Sequence, residues 1–146
     1  MSDFQVSPEL LGIYLEDARA HLEALDHCLL ALERDGFDAE VVSSVLGPLH
    51  TLKGNSGMMG FTGIKDYVHE LEDVFACIAQ GGLPLAPALF DPLFAGATAL
   101  RDAVERAARD RAEAHDLELE RAELRGLLAG AALPAPPAAA APSSPP

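Results

Sequence analysis

Residues 7–36 read SPELLGIYLEDARAHLEALDHCLLALERDG. In this stretch Leu11, Leu15, Ala18, Leu22, Leu25, Leu29 and Leu32 alternate steps of four and three, the spacing that lines one face of an α-helix. Ser7 is placed to cap the first turn and Pro8 occupies the first helical position, where a missing N–H costs nothing. Asp35-Gly36 supplies the stop, so the spacing predicts a helix of about 27 residues and about 40 Å. A helix with one apolar stripe must bury it against others, and the rest of the chain offers partners of the same kind.

A second helix is predicted from near Asp38 to about Met59, with Val41, Val42, Val45, Leu49, Leu52 and Met59 on one face. Pro48 lies inside it, removing a backbone hydrogen bond and crowding the carbonyl four residues back, so a kink or loosened turn is expected just before His50. After a Gly60–Gly63 turn, a third helix carries Ile64, Tyr67, Val68, Leu71, Val74, Phe75 and Ile78 and stops at Gly81-Gly82. A fourth, entered through LPLAPALFDP with its regular part delayed to Pro92, faces Leu89, Phe90, Leu93, Ala97, Leu100 and Val104 inward. A shorter fifth helix is expected from near His115-Asp116, using Leu117, Leu124, Leu127 and Leu128. No strand-type alternation and no solenoid repeat is present. The expected fold is all-α, an antiparallel four-helix bundle with an additional C-terminal helix. Residues 1–130 form one domain, and the Pro/Ala-rich 131–146 reads as an extended linker leading to further domains outside this chain.

Ten Lys and Arg against 23 Asp and Glu leave a formal charge of -13 over 146 residues. That balance argues against nucleic acid or an anionic membrane surface as the main partner. The start MSDFQVSPELL lacks the basic and apolar regions of a signal peptide, and no run approaches a membrane span, so a cytoplasmic protein is expected. Cys28 and Cys77 lack a CxxC spacing and read as reduced thiols rather than a disulfide or zinc site. His21, His27, His50 and His69 are spread over three helices without the Glu-x-x-His pair of bundle di-metal sites, so no metal is expected.

The chemistry concentrates in GPLHTLKGNSGMMGF, residues 47–61. With His50 set at 0° on the second helix, Val45, Leu49, Leu52 and Met59 fall between roughly 180° and 260°, whereas Lys53, Gly54 and Gly57 fall at about 300°, 40° and 340°. His50, Lys53, Gly54 and Gly57 therefore share the solvent face. The glycines flatten that surface at roughly 1 kcal/mol each relative to alanine, leaving room for another protein or a phosphate beside the imidazole. On the third helix Glu72 and His69 lie on a polar strip at the flank of the core. If the two helices are antiparallel neighbours, Glu72 accepts a hydrogen bond from Nδ1–H of His50 and His69 lies near Lys53. The acceptor on Nδ1 leaves the Nε2 lone pair outward and steadies the charge that develops when Nε2 attacks phosphorus.

LHTLKGNSGMMGF together with HELEDVF resembles the phosphotransfer (HPt) domain at the N-terminus of chemotaxis-type histidine kinases, the CheA family. The resemblance implies that His50 is phosphorylated, that Glu72 orients it, that Lys53 supports the phosphoryl group, that His69 belongs to the same network, and that Gly54 and Gly57 leave room for docking. It further implies a monomeric module with no cofactor of its own, phosphorylated from ATP on a separate kinase catalytic domain and passing the group to an aspartate on response-regulator receiver domains. Gly47-Pro48 departs from the helix-favouring residues usual in that family.

Two other readings stay open at the level of sequence. A phosphorelay HPt protein would take its phosphoryl group from a receiver domain instead. A structural or adaptor bundle would carry these side chains as an idle solvated face, much as His21, His27 and His115 occur on helices without a role. Catalysis by this chain alone is not expected, since it has no Walker-type loop or evident nucleotide pocket.

Overall fold

The computed structural model describes residues 7–112 and 117–131, and these form five helices. Helix α1 spans Pro8–Asp35, α2 Ala39–Met58, α3 Thr62–Ala79, α4 Pro87–Asp110 and α5 Glu118–Ala131. The expected bundle with an added C-terminal helix is what the chain adopts. Helix α1 packs on α2 and α4, and α2 packs on α3. Helix α5 lies along α3 and α4, where those two make little direct contact; its Leu124 is buried, as is Leu117 just before its first turn. The expected linker 131–146 lies outside the described residues except for Ala131, as does the expected start of the last helix at His115-Asp116.

Local chemistry sets the boundaries. The Ser7 side chain accepts from the backbone N–H of Leu10, Pro8 opens α1, and Gly36 ends it at a φ of 87° that a side chain would resist. Asp38 caps α2 through the N–H groups of Glu40 and Val41. Three features depart from expectation. Helix α3 already begins at Thr62, because Phe61 is buried and its carbonyl accepts the first helical bond from Lys65, so only Gly60, at φ 83°, makes the turn. Helix α4 begins at Pro87 rather than Pro92, since Pro87 takes the first-turn position and buried Leu89 and Phe90 hold the segment between the two prolines to the core. Helix α2 runs unbroken through Pro48, anchored on either side by fully buried Val45 and Leu49.

The core is apolar and built from the predicted stripes, with Leu29, Val42, Leu52, Ile64, Val68, Phe75, Leu100 and Val104 all at 0% exposure. Each such side chain contributes about 1.5–3 kcal/mol by leaving water. One stripe position moves. Tyr14, not Leu15, is buried at the start of α1, because a strict seven-residue repeat drifts by about 20° per heptad on a straight helix. Tyr14 packs edge-on against Phe61 at 5.4 Å, and its hydroxyl lies 2.9 Å from Oγ of the buried Ser56. Both cysteines are free, and burial pushes the Cys28 thiol up to about 11. Among the described residues no helix is long and apolar enough to cross a membrane.

Candidate phosphotransfer site

Helix α2 turns His50 outward because its neighbours point inward: Leu49 and Leu52 are fully buried, which leaves the His50 side chain 75% exposed. On α3, buried Leu71 and Val74 likewise fix Glu72 at the edge of the core, with its side chain 17% exposed. The short connection through Gly60 and Phe61 makes the two helices antiparallel neighbours. Nδ1 of His50 comes to 3.3 Å from Oε2 of Glu72, and Nζ of Lys53 to 2.7 Å from Oε1 of the same carboxylate. Nδ1 of His69 lies 3.8 Å from that Oε1, within ion-pair range but too far for a hydrogen bond.

Glu72 thus engages two groups at once and ties the imidazole to the ammonium. With Nδ1–H donated to Glu72, the lone pair of the neutral ring is on Nε2, which has no partner among the described residues and faces solvent. His21 shows the contrast: its Nε2 is bound 2.9 Å from Oδ2 of Asp17, which also accepts from Asn55 at 3.0 Å. A ring with that nitrogen engaged is a poor nucleophile. His27 is exposed on α1, and His115 lies outside the described residues.

The remaining expected residues divide. A Cβ at Gly54 would meet nothing within 4 Å, so this position is open as expected. Gly57 is not. A Cβ there would lie 3.0 Å from Cδ of Lys65, whose stem crosses the space the glycine leaves. Lys53 is more enclosed than a solvent-face residue, at 23% side-chain exposure, because its stem runs toward Glu72 on α3. Lys53, Gly54, Gly57, Lys65, Asp66 and His69 line a shallow depression of about 350 Å³. Lys65 did not emerge from the sequence, although a signal for it was there. It shares an i, i+4, i+7 stripe with His69 and Glu72, and stepping three then four residues up α2 from His50 matches stepping three then four back down α3 from Glu72.

The far side of α3 is braced. Glu70 accepts from Arg121 at 3.0 Å and Arg125 at 3.2 Å, both on α5, and Arg125 also reaches Glu118 at 2.9 Å. Helix α3 is therefore held between the His50 network on one side and α5 on the other. Among the described residues no group of three or more His, Cys, Asp or Glu is arranged to hold a metal.

Comparison with known proteins places the chain as a whole. The family model of the Hpt domain matches residues 9–110. The chain belongs to the Hpt domain family. The Hpt domain described here is 31% identical over 123 residues to the chemotaxis protein CheA of Listeria monocytogenes, covering 84% of this chain and 20% of that protein. The chain therefore spans about a fifth of the length of such relatives. Among solved structures, the phosphorylated P1 domain of CheA3 in complex with CheY6 from R. sphaeroides is similar at a TM-score of 0.76 and 27% identity, over 84% of this chain and 98% of that one. The CheA phosphotransferase domain from Thermotoga maritima is similar at 0.64 and 30%, over 69% and 96%.

Proposed function

We propose that this Hpt domain is the phosphoryl carrier of a chemotaxis or motility histidine kinase, and that His50 is the carrier atom's residue. The supporting observation is one imidazole with Nδ1 held by Glu72 and Nε2 open to solvent, beside an ammonium bound to the same carboxylate. In the forward step the Nε2 lone pair forms a bond to the γ-phosphorus of ATP, which a separate kinase domain holds, while the bond from phosphorus to the bridging oxygen breaks and ADP leaves with its electron pair. Nδ1 keeps its proton, and Glu72 opposes the positive charge that spreads over the ring. Lys53 offsets charge on the phosphoryl oxygens, and His69 completes the polar network. In the return step a receiver-domain aspartate attacks the same phosphorus and Nε2 departs.

The similar P1 domain of CheA3 is described as phosphorylated and in complex with CheY6, which favours a receiver of that kind as acceptor here. On this reading the domain works in the cytoplasm as a monomer, binds no cofactor itself, and is tethered through 131–146 to the kinase portion. Incubation with a matching kinase core and ATP should give an acid-labile phosphoprotein, and His50→Gln should not label. Undiminished labelling of that variant would overturn the assignment.

A further inference from the structure

We propose that Lys65 is a second phosphate-facing cation of this site, a positioning residue that draws the anionic donor toward His50. The inference rests on the carrier reading above. Lys53 is committed to Glu72 at 2.7 Å, so much of its charge is already answered within the protein. The ammonium of Lys65 has no carboxylate or other side-chain partner among the described residues. It lines the same depression as Lys53 and His69. Asp66 lines it too, but that carboxylate also acts on Arg121 of α5, on the other flank of α3.

The backbone is shaped to admit this side chain. The lysine stem lies across Gly57, 3.0 Å from where a Cβ would be, so any larger residue at 57 would press the stem away from α2. Gly57 is about two turns beyond His50, on the same face of the helix, so the depression it lines opens on the face that carries the ring. The donor carries several negative charges and the whole chain carries -13, so their encounter is repulsive at long range. Seven residues of helix set Gly57, under the lysine stem, about 10 Å along α2 from His50, comparable with the roughly 8 Å Debye length at physiological salt, so the unneutralised cation still counters part of that repulsion. Its effect is on capture of the donor more than on the bond-making step.

The test uses Lys65→Met, which keeps the apolar stem over Gly57 and removes the charge, and Lys65→Arg, which restores charge. Phosphorylation is followed with ATP-loaded kinase core and, separately, with phosphoramidate, whose phosphorus is transferred to Nε2 as ammonia leaves. Lys65→Met should raise KM about 3- to 10-fold in both assays with kcat within about twofold, should lose that defect in 0.5 M salt, and should be rescued by Lys65→Arg. Wild-type kinetics in Lys65→Met would overturn the proposal, as would a defect that persists in high salt or one confined to the kinase core, which would make Lys65 a protein contact. Labelling of wild type but not of His50→Gln in the same experiments keeps a failure at Lys65 distinct from a failure of the carrier assignment.

Discussion

Glu72 offers two oxygens to two different partners, and the distinction between its charge and its shape can be measured. Glu72→Gln keeps an oxygen for Nδ1–H of His50 but loses the charge that pairs with Lys53 at 2.7 Å. Single-turnover phosphorylation should slow about tenfold, roughly 1.4 kcal/mol, with the melting profile little changed. An unaltered rate would show that the carboxylate only decorates the helix edge. The residues of this network were legible in the sequence because each lies on a helix whose apolar stripe fixes its rotation: Leu49 and Leu52 place His50, and Leu71 and Val74 place Glu72. Lys65 was not legible in that way. Its position depends on how closely α3 crosses Gly57, a tertiary distance that neither helix encodes alone. Tyr14 was missed for a related reason, since only the fold reveals that its hydroxyl meets Ser56.

Between helices, close approach leaves a fault that mutation can expose. Tyr67 on α3 is fully buried, its hydroxyl has no partner among the described residues, and a Cβ at Gly96 on α4 would sit 1.8 Å from that oxygen. Burial pushes this phenol well above the ordinary tyrosine range, so it stays neutral. Tyr67→Phe should stabilise the fold by about 1–3 kcal/mol by removing an unsatisfied hydroxyl, as read by urea unfolding. Gly96→Ala should cost about 1–3 kcal/mol or more through overpacking. In the double variant part of that loss should be recovered, because the clashing atom is gone, and strict additivity would contradict this account. Helix α2 carries its own test. Pro48→Ala restores the backbone donor to a helix that already runs unbroken past it, and should add about 1–3 kcal/mol to stability while leaving His50 labelling within about twofold. A large change in labelling would instead give the proline a part in shaping the site. The extent of α1 could be read from its caps and periodicity, and the end of α3 from Gly81-Gly82, whereas the start of α3 at Thr62 follows from the burial of Phe61. The start of α4 could not, because Pro87 and Pro92 both suit a first turn and only the burial of Leu89 and Phe90 chooses between them.

For the whole molecule, the excess of acidic groups acts against its own compactness. A chain of formal charge -13 repels itself, and raising sodium chloride from about 0.02 to 0.5 M shortens the screening length severalfold. Its thermal midpoint, followed by circular dichroism, should rise by a few degrees over that range, about what 1 kcal/mol produces in a domain of this size. A midpoint that fell with salt would assign the dominant electrostatic contribution to bridges such as Arg19–Glu105 and Arg121–Glu70. The division of labour among the helices has a broader consequence. His50, Lys53, Lys65, His69 and Glu72 all belong to the α2–α3 hairpin, which rests chiefly on α1 and α5, while α4 packs mainly against α1. On the carrier reading proposed above, partner choice can then drift through substitutions on one exposed stripe without disturbing the packing that keeps the chain folded. Duplicated copies could acquire separate signalling routes by changing a handful of positions on a single hairpin.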